Sequence, residues 1–194
     1  TWQPSIPAGG GGSGSLHGYC GDTTLSNGQT LNLQAGVYYF WNSGLRLSGG
    51  TIRCSNCGAP GTNGVTLVFT GSDPNRIGTL RMDGTGTVDL YASPVQPDPD
   101  YNGILFYRDV RATNDNGPFA TTINGGSTIK LSGGMYFPSS TISYSGNMAS
   151  TQPCTTVVGM SIVLSGSSTT TLDNTNCSIY GTMQARARVV RLVE

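Results

Sequence analysis

The stretch IKLSGGMYFPSSTISYSG, Ile129 to Gly146, states one phrase twice: apolar, any residue, apolar, Ser, Gly. The first copy is Ile129-Lys130-Leu131-Ser132-Gly133 and the second is Ile142-Ser143-Tyr144-Ser145-Gly146. Apolar residues at i and i+2 point to one face of an extended strand. The small polar residue and the Gly then turn the chain, because Gly enters positive φ without a steric penalty. One phrase is therefore one short strand and one corner. On this reading Ile129, Leu131, Ile142 and Tyr144 face inward, and Lys130 and Ser143 face outward. The Met135–Pro138 segment joins the two units, and Pro138 marks a corner or an edge.

The phrase recurs as Leu45–Gly49, Leu67–Gly71, Leu80–Gly84 (with Asp or Thr in the small polar place) and Ile162–Gly166. Further short strands are expected at Val37–Trp41, Val88–Ala92, Gly103–Tyr107, Met135–Phe137 and Thr155–Gly159. Asn-Gly pairs at 27/28, 63/64, 102/103, 116/117 and 124/125 mark turns. Asn-Gly is also a hairpin signal, which makes a β-sandwich the alternative. Sandwich strands run longer and alternate cleanly, whereas short strands broken by Gly corners suit stacked coils that share one core. The sequence therefore predicts a right-handed parallel β-helix of about four to six irregular coils. Ser93–Asn102 and Arg108–Ala120 are its longest loops. Residues 1–30 read as a Gly-rich leader, 31–184 as the β-helix, and 185–194 as a terminal strand that caps the open end.

Composition agrees. The chain has 194 residues with 29 Gly and 10 Pro, and only 10% are charged. Lys130 is the one lysine and Glu194 the one glutamate, so the strongest helix formers are nearly missing. The balanced charge argues against nucleic acid and anionic lipid as partners. No apolar run is long enough to cross a membrane as a helix. The chain begins at Thr1 without a signal-peptide pattern and reads as a processed piece of something longer.

Five cysteines in a polar chain point to an oxidising compartment, and the odd number leaves one thiol over. The preferred pairing is Cys154 with Cys177. Cys54-Ser-Asn-Cys57 has zinc-knuckle spacing, but His17 is the only histidine and no second ligand pair exists. The pairing of Cys20, Cys54 and Cys57 stays open, with a structural role favoured for the CxxC.

Several motifs carry candidate chemistry. DPDYNGILFYRD, Asp98 to Asp109, fits the D-x-D-x-N-G spacing of a calcium loop. Asp98, Asp100 and Asn102 are thus a calcium candidate, weighed against a turn that enters a strand; otherwise no cofactor or metal is expected. VYYFW, Val37 to Trp41, offers a binding surface. Alternation sends either Tyr38 and Phe40 or Tyr39 and Trp41 outward, where rings stack on glycans or partners. Arg46 and Arg81 hold the same place in their phrases and could stack as a cationic ladder. No catalytic residues are assigned: the nine Asp are scattered, and general bases are scarce. Thr runs such as Thr169–Thr171 raise ice binding, but no Thr-x-Thr rank repeats in every coil.

GILFYRD (Gly103–Asp109), SGGMYFPSSTISYSG (Ser132–Gly146), CTTVVGMSIVLSGSSTTTLDNTNC (Cys154–Cys177) and the ending VVRLVE resemble the C-terminal region of TadG/TadE-like proteins of bacterial Tad (Flp-type, tight-adherence) pilus loci. The resemblance covers roughly Leu31 to Glu194. It implies an exported bacterial protein at the cell surface and a non-enzymatic role in pilus assembly or adhesion. The expected partners are other pilus or envelope proteins, further copies of the chain, or surface glycans. The alternative is a carbohydrate-binding or polysaccharide-active β-helix. Cys54 and Cys57 lie outside the family pattern, and no membrane segment is present in this chain.

Overall fold

A computed structural model describes residues 2–3, 15–57, 63–83, 86–125, 129–146, 152–165, 172–173 and 177–182. The expected terminal strand at 185–194, the Gly-rich stretch 4–14 and Thr169–Thr171 lie outside these residues. The fold is a parallel β-helix with three faces. After a short strand β1 (Trp2–Gln3), the first coil is β2 (Ser15–Tyr19), β3 (Thr23–Ser26) and β4 (Thr30–Leu33). The second is β5 (Gly36–Trp41), β6 (Leu45–Ser48) and β7 (Thr51–Cys54). The third is β8 (Val65–Thr70), β9 (Leu80–Asp83) and β10 (Thr87–Tyr91), and the fourth opens with β11 (Ile104–Arg108) and β12 (Thr121–Gly125).

The opening stretch is then one continuous strand, β13 (Ile129–Gly146), bent around the molecule. Its start pairs with β10 on face III, its middle with β11 on face I, and its end with β12 on face II. The segment between the two phrase copies is therefore itself a rung of face I, and the register shifts between Phe137 and Thr141, where Pro138 turns the corner. β15 (Thr155–Ser165) covers the face I and face II parts of β13 in the same way. A separate pair, β14 (Gln152–Pro153) with β16 (Leu172–Asp173), lies aside. Every ladder between these strands is parallel, which excludes the sandwich. Asn-Gly at 27/28 and 102/103 serves at coil corners instead of hairpins, with Gly28 at φ 79° and Gly103 at φ 75°, whereas 116/117 opens a 3-10 turn in a loop and 124/125, expected as a turn, lies within β12. The first coil begins at Ser15, so residues that sequence reading gave to the leader belong to the helix, and Trp2 and Gln3 pair with Gly18 and Tyr19.

The phrase acquires a position. Its Leu45, Leu80, Ile142 and Ile162 copies all lie on face II, while the Leu67 copy is on face I and the Ile129 copy on face III. Leu45 pairs with Leu80 and Leu47 with Met82, and Ile142 pairs with Ile162 two rungs on. Inward side chains thus form columns one strand spacing apart, about 4.8 Å. Leu45, Leu47, Leu80, Met82, Ile129, Leu131, Ile142 and Tyr144 are all buried, and Lys130 is exposed, as the alternation requires. Each such apolar side chain contributes about 1.5–3 kcal/mol on burial. Face I holds the aromatic part of the core: Tyr19, Phe40 and Phe69 stack rung on rung, with Phe40 and Phe69 centroids 5.1 Å apart.

Two disulfides brace the stack. Cys154–Cys177 forms as expected, and Cys54 closes on Cys57 at the end of β7. Cys20 is exposed and belongs to neither.

Coils touch most closely at the corner between faces I and II. A Cβ on Gly78 would stand 2.0 Å from the Ser43 carbonyl oxygen and 2.5 Å from the Gly44 nitrogen, both backbone atoms that cannot swing away. Gly78→Ala is expected to destabilise the protein by about 3 kcal/mol, as overpacking of a tight contact does. Urea denaturation checks this against Lys130→Ala, an exposed control that should leave the midpoint within error.

Candidate functional site

The two longest loops fold back over two different faces, and each creates a surface. On face I the outward column reads Tyr39, Val68, Tyr107, Tyr136 and Val158 through successive registers. The VYYFW segment resolves accordingly. Tyr38 and Phe40 point into the core, while Tyr39 is half-buried outside it and Trp41 is 36% exposed. The loop after β10 crosses this column. A short 3-10 helix (Pro99–Tyr101) carries Tyr101 against Tyr39 at 6.0 Å and Tyr107 at 5.4 Å, both edge-on. Tyr101 thus bridges the gap that Val68, fully buried, leaves between two rings. Tyr107 then stacks on Tyr136 at 5.5 Å. The result is a stripe of four tyrosines.

The calcium candidates lie in this loop, but their oxygens serve the loop itself. Asp98 Oδ1 accepts from the Asp100 N–H at 3.2 Å, and its Oδ2 accepts from the Tyr39 hydroxyl at 2.8 Å. Asn102 Oδ1 accepts from the Gln96 N–H at 2.7 Å. Asp109, twelfth in the spacing, sits at the far end of β11 and binds Arg111 and the Thr70 hydroxyl. The structure does not bring these groups together around one point, and among the described residues no cluster of three or more His, Cys, Asp or Glu could hold a metal. His17 packs its ring 4.8 Å from Tyr38 at the first rung.

On face II the arginines align as the phrase implies: Arg46 is in register with Arg81. Asp83 lies between them and relieves the repulsion of like charges. Its Oδ2 accepts from Arg46 Nε at 3.1 Å and from Arg81 Nη2 at 3.4 Å, and its Oδ1 accepts from Thr122 at 3.3 Å. Arg81 Nη1 also donates to the Gly117 carbonyl at 2.8 Å. That bond draws the second 3-10 turn (Gly117–Phe119) over the face. Between turn and sheet lies a groove of about 260 Å³, lined among others by Asp22, Thr23, Thr24, Arg46, Arg81 and Phe119.

The loop that bears this turn is fixed by Arg108. Its side chain is fully buried, in the inward column after Phe69. The guanidinium donates to the carbonyls of Gly78 (3.0 Å), Ile77 (3.1 Å) and Asn114 (2.5 Å), to the Ser140 hydroxyl (2.5 Å) and to Asp115 (3.2 Å). Burial pushes its pKa down, and the Asp115 carboxylate opposes that shift. Neither Arg108 nor Phe119 stands out in the sequence. The tyrosine stripe left one trace there, the outward Tyr in both LFYR and MYF. Turning that trace into a ladder needs the coil register.

No family model, curated protein or solved structure matches this chain.

Electrostatics follow packing. Burial first, and neighbouring phenols or carboxylates second, push Tyr19, Tyr91 and Tyr101 up from about 10 to about 12, and burial alone does so for Tyr144. Burial and the bond to Asp98 push Tyr39 higher still. Arg111, through its hydrogen bonds, holds Asp109 down at about 2. A raised folded pKa contributes stability that is complete below the unfolded value and is lost as pH rises through the folded one. Stability should therefore hold up to about pH 10 and fall between pH 10 and 12. Ultraviolet titration of the nine tyrosines, run beside circular dichroism, checks this. The expected result is a late group that ionises only as the β signal collapses. A single transition near pH 10 for all nine contradicts the burial.

Proposed function

We propose that this chain is an exported, non-enzymatic β-helix domain of a pilus-associated bacterial surface protein, which presents a rigid face for pilus assembly or adhesion. The observation that supports this reading best is the tyrosine stripe of face I with Trp41 at its side. Aromatic residues of this kind are enriched where proteins meet partners. Here Tyr39, Tyr107 and Tyr136 stand on a sheet whose backbone is locked by ladders on both sides, so little order is lost on contact. Tyr39, Tyr101, Tyr107 and Tyr136 each keep a partly exposed side chain, and the bond from the Tyr39 hydroxyl to Asp98 holds the first of them in place. Two disulfides suit an oxidising, extracytoplasmic setting. The resemblance of Gly103–Asp109 and Ser132–Gly146 to TadG/TadE-like proteins supplies the pilus context.

The test is adherence of the producing bacterium. Trp41→Ser with Tyr136→Ser should leave the secreted amount and the melting temperature close to the parent and lower surface adherence several-fold. Crystal-violet retention and counts of pili by electron microscopy give the readout. Unchanged adherence with unchanged piliation overturns the reading.

A second reading, contact between copies of the chain, is favoured by the last described rung. Ile162 and Leu164 continue the inward columns of Ile142 and Tyr144, yet they are 45% and 69% exposed, and Met160 is 66% exposed. A contiguous apolar end is unusual on a monomer. Sedimentation velocity should then show a concentration-dependent dimer that Leu164→Asp abolishes. Strictly monomeric sedimentation at high concentration sinks self-association.

A further inference from the structure

We propose that the face II groove binds a carboxylate-bearing sugar, the uronic acid residue of an acidic polysaccharide. The site goes beyond the adhesive reading of face I. It lies on another face, and it stands or falls independently of that reading.

Four observations build the site. Phe119 is the exception among the five phenylalanines: Phe40, Phe69, Phe106 and Phe137 are fully buried, whereas Phe119 is half-buried, outside the core, and lines the groove. Arg46 is anchored to Asp83 through Nε alone, and its side chain is 50% exposed, so both terminal nitrogens remain to donate into the groove. Arg81, another lining residue, carries a buried Nε that has no partner among the described residues. Buried polar groups are nearly always satisfied, so an orphan N–H on a lining residue leaves a donor over at the groove. Finally, Asp22 is held at the rim by the Gly44 N–H, which donates to its Oδ1 at 2.7 Å.

These groups select a chemistry by elimination. A guanidinium with two free terminal nitrogens pairs with a planar carboxylate in fork geometry. A fixed carboxylate beside it accepts from hydroxyl groups and repels a second anion. That disfavours a polyphosphate or a sulfate cluster, which would meet Asp22 as a like charge. An aromatic wall suits the apolar C–H face of a pyranose ring. The exposed Thr24 hydroxyl, in register with Arg46, is a small, neutral partner for a ring hydroxyl. One anionic group, several hydroxyls and one apolar face on a single ring describe a hexuronate. The groove volume of about 260 Å³ accommodates one or two such rings. The groove is open, so a long chain can run through it.

The probes are tetrasaccharides of galacturonate and of mannuronate, a hyaluronan tetrasaccharide, and the methyl ester of the galacturonate form, measured by titration calorimetry on the full chain. At least one acid should bind, and raising salt from 20 to 300 mM should weaken it, since screening acts on an exposed pair. For galacturonate, the ester should bind at least about tenfold more weakly than the acid, the scale of one charge-assisted pair. Arg46→Gln should reproduce that loss, Arg46→Lys should recover only part of it, and Phe119→Ala should weaken the acid and the ester alike. Arg46 is half-exposed and Phe119 is outside the core, so both variants should melt with the parent, and a melt by circular dichroism confirms that. Lys130→Gln, on face III, is the neutral control. No binding by any of the three acids overturns the proposal. So does equal binding of acid and ester, an Arg46→Gln variant that binds as the parent does, or tighter binding of an acidic tetrapeptide than of any sugar.

Discussion

The guanidinium of Arg108 is the constraint on which the rest of the arrangement depends. It occupies an inward place in the face I column, next to Phe69, where every neighbouring coil offers an aromatic or aliphatic side chain. A cation cannot lose its water there without replacing it, because an arginine does not shed its proton. The fold supplies the replacement from three successive coils. Ile77 and Gly78 belong to the coil below, Asn114 and Asp115 to the loop of its own coil, and Ser140 to the corner above. Asp115 in turn accepts from the Thr141 N–H, which fixes that upper corner. Removing one partner of such a buried set costs about 3–5 kcal/mol, because the others are left unsatisfied. Hydrophobic columns favour stacking at any rung, but they do not say which loop leaves the stack or where it returns. Arg108 does, and so it fixes the path of the segment that delivers Gly117 and Phe119 to face II.

That division explains what the sequence disclosed. The recurring phrase carries its own physics: period-two alternation gives strand faces, and Gly gives corners. Coil architecture, the burial of Ile129, Leu131, Ile142 and Tyr144, the outward Lys130 and the two long loops could all be read from neighbours within five residues of one another. The alignment of Arg46 with Arg81 could be read too, because both occupy the second place of the same phrase. The stagger of the phrases around three faces could not. It depends on how many residues each corner and loop consumes, and that varies from coil to coil. For the same reason the start of the helix at Ser15 was hidden: SLHGY and TTLS lack the closing Gly and read as part of the leader.

The surfaces were hidden for a further reason. Tyr39, Tyr101, Tyr107 and Tyr136 are scattered along the chain, and only parallel register brings three of them into one column. Tyr101 enters from a loop, where no periodicity announces it. The residues of the D-x-D-x-N-G spacing serve the loop that carries them. Asp98 does cap a short helix and Asn102 does turn the chain, which are the ordinary roles of these residues. Their oxygens meet backbone N–H groups and a tyrosine hydroxyl, so a motif defined by spacing alone describes two different local structures.

The two surfaces differ in what their rings can offer. On face I, Tyr107 lies nearly parallel to Tyr136, with 14° between planes, and Tyr101 sets edges against Tyr39 and Tyr107. Ring faces there are largely occupied by other rings and the Tyr39 hydroxyl by Asp98, so a partner meets the stripe at its partly exposed ring edges. A sugar needs an open ring face, whereas a protein partner needs a firm ridge with hydrogen-bonding tips. The stripe therefore suits protein contact. On face II, Phe119 joins no aromatic pair among the described residues and stands across a groove from Arg46. Its ring is half-buried and lines that groove together with Arg46, Arg81 and Asp22. A solenoid separates such tasks because each face is built from different rungs of the same coils. One buried arginine at the corner they share holds the loop that builds the groove, while Asp98 and Asn102 hold the loop that completes the stripe.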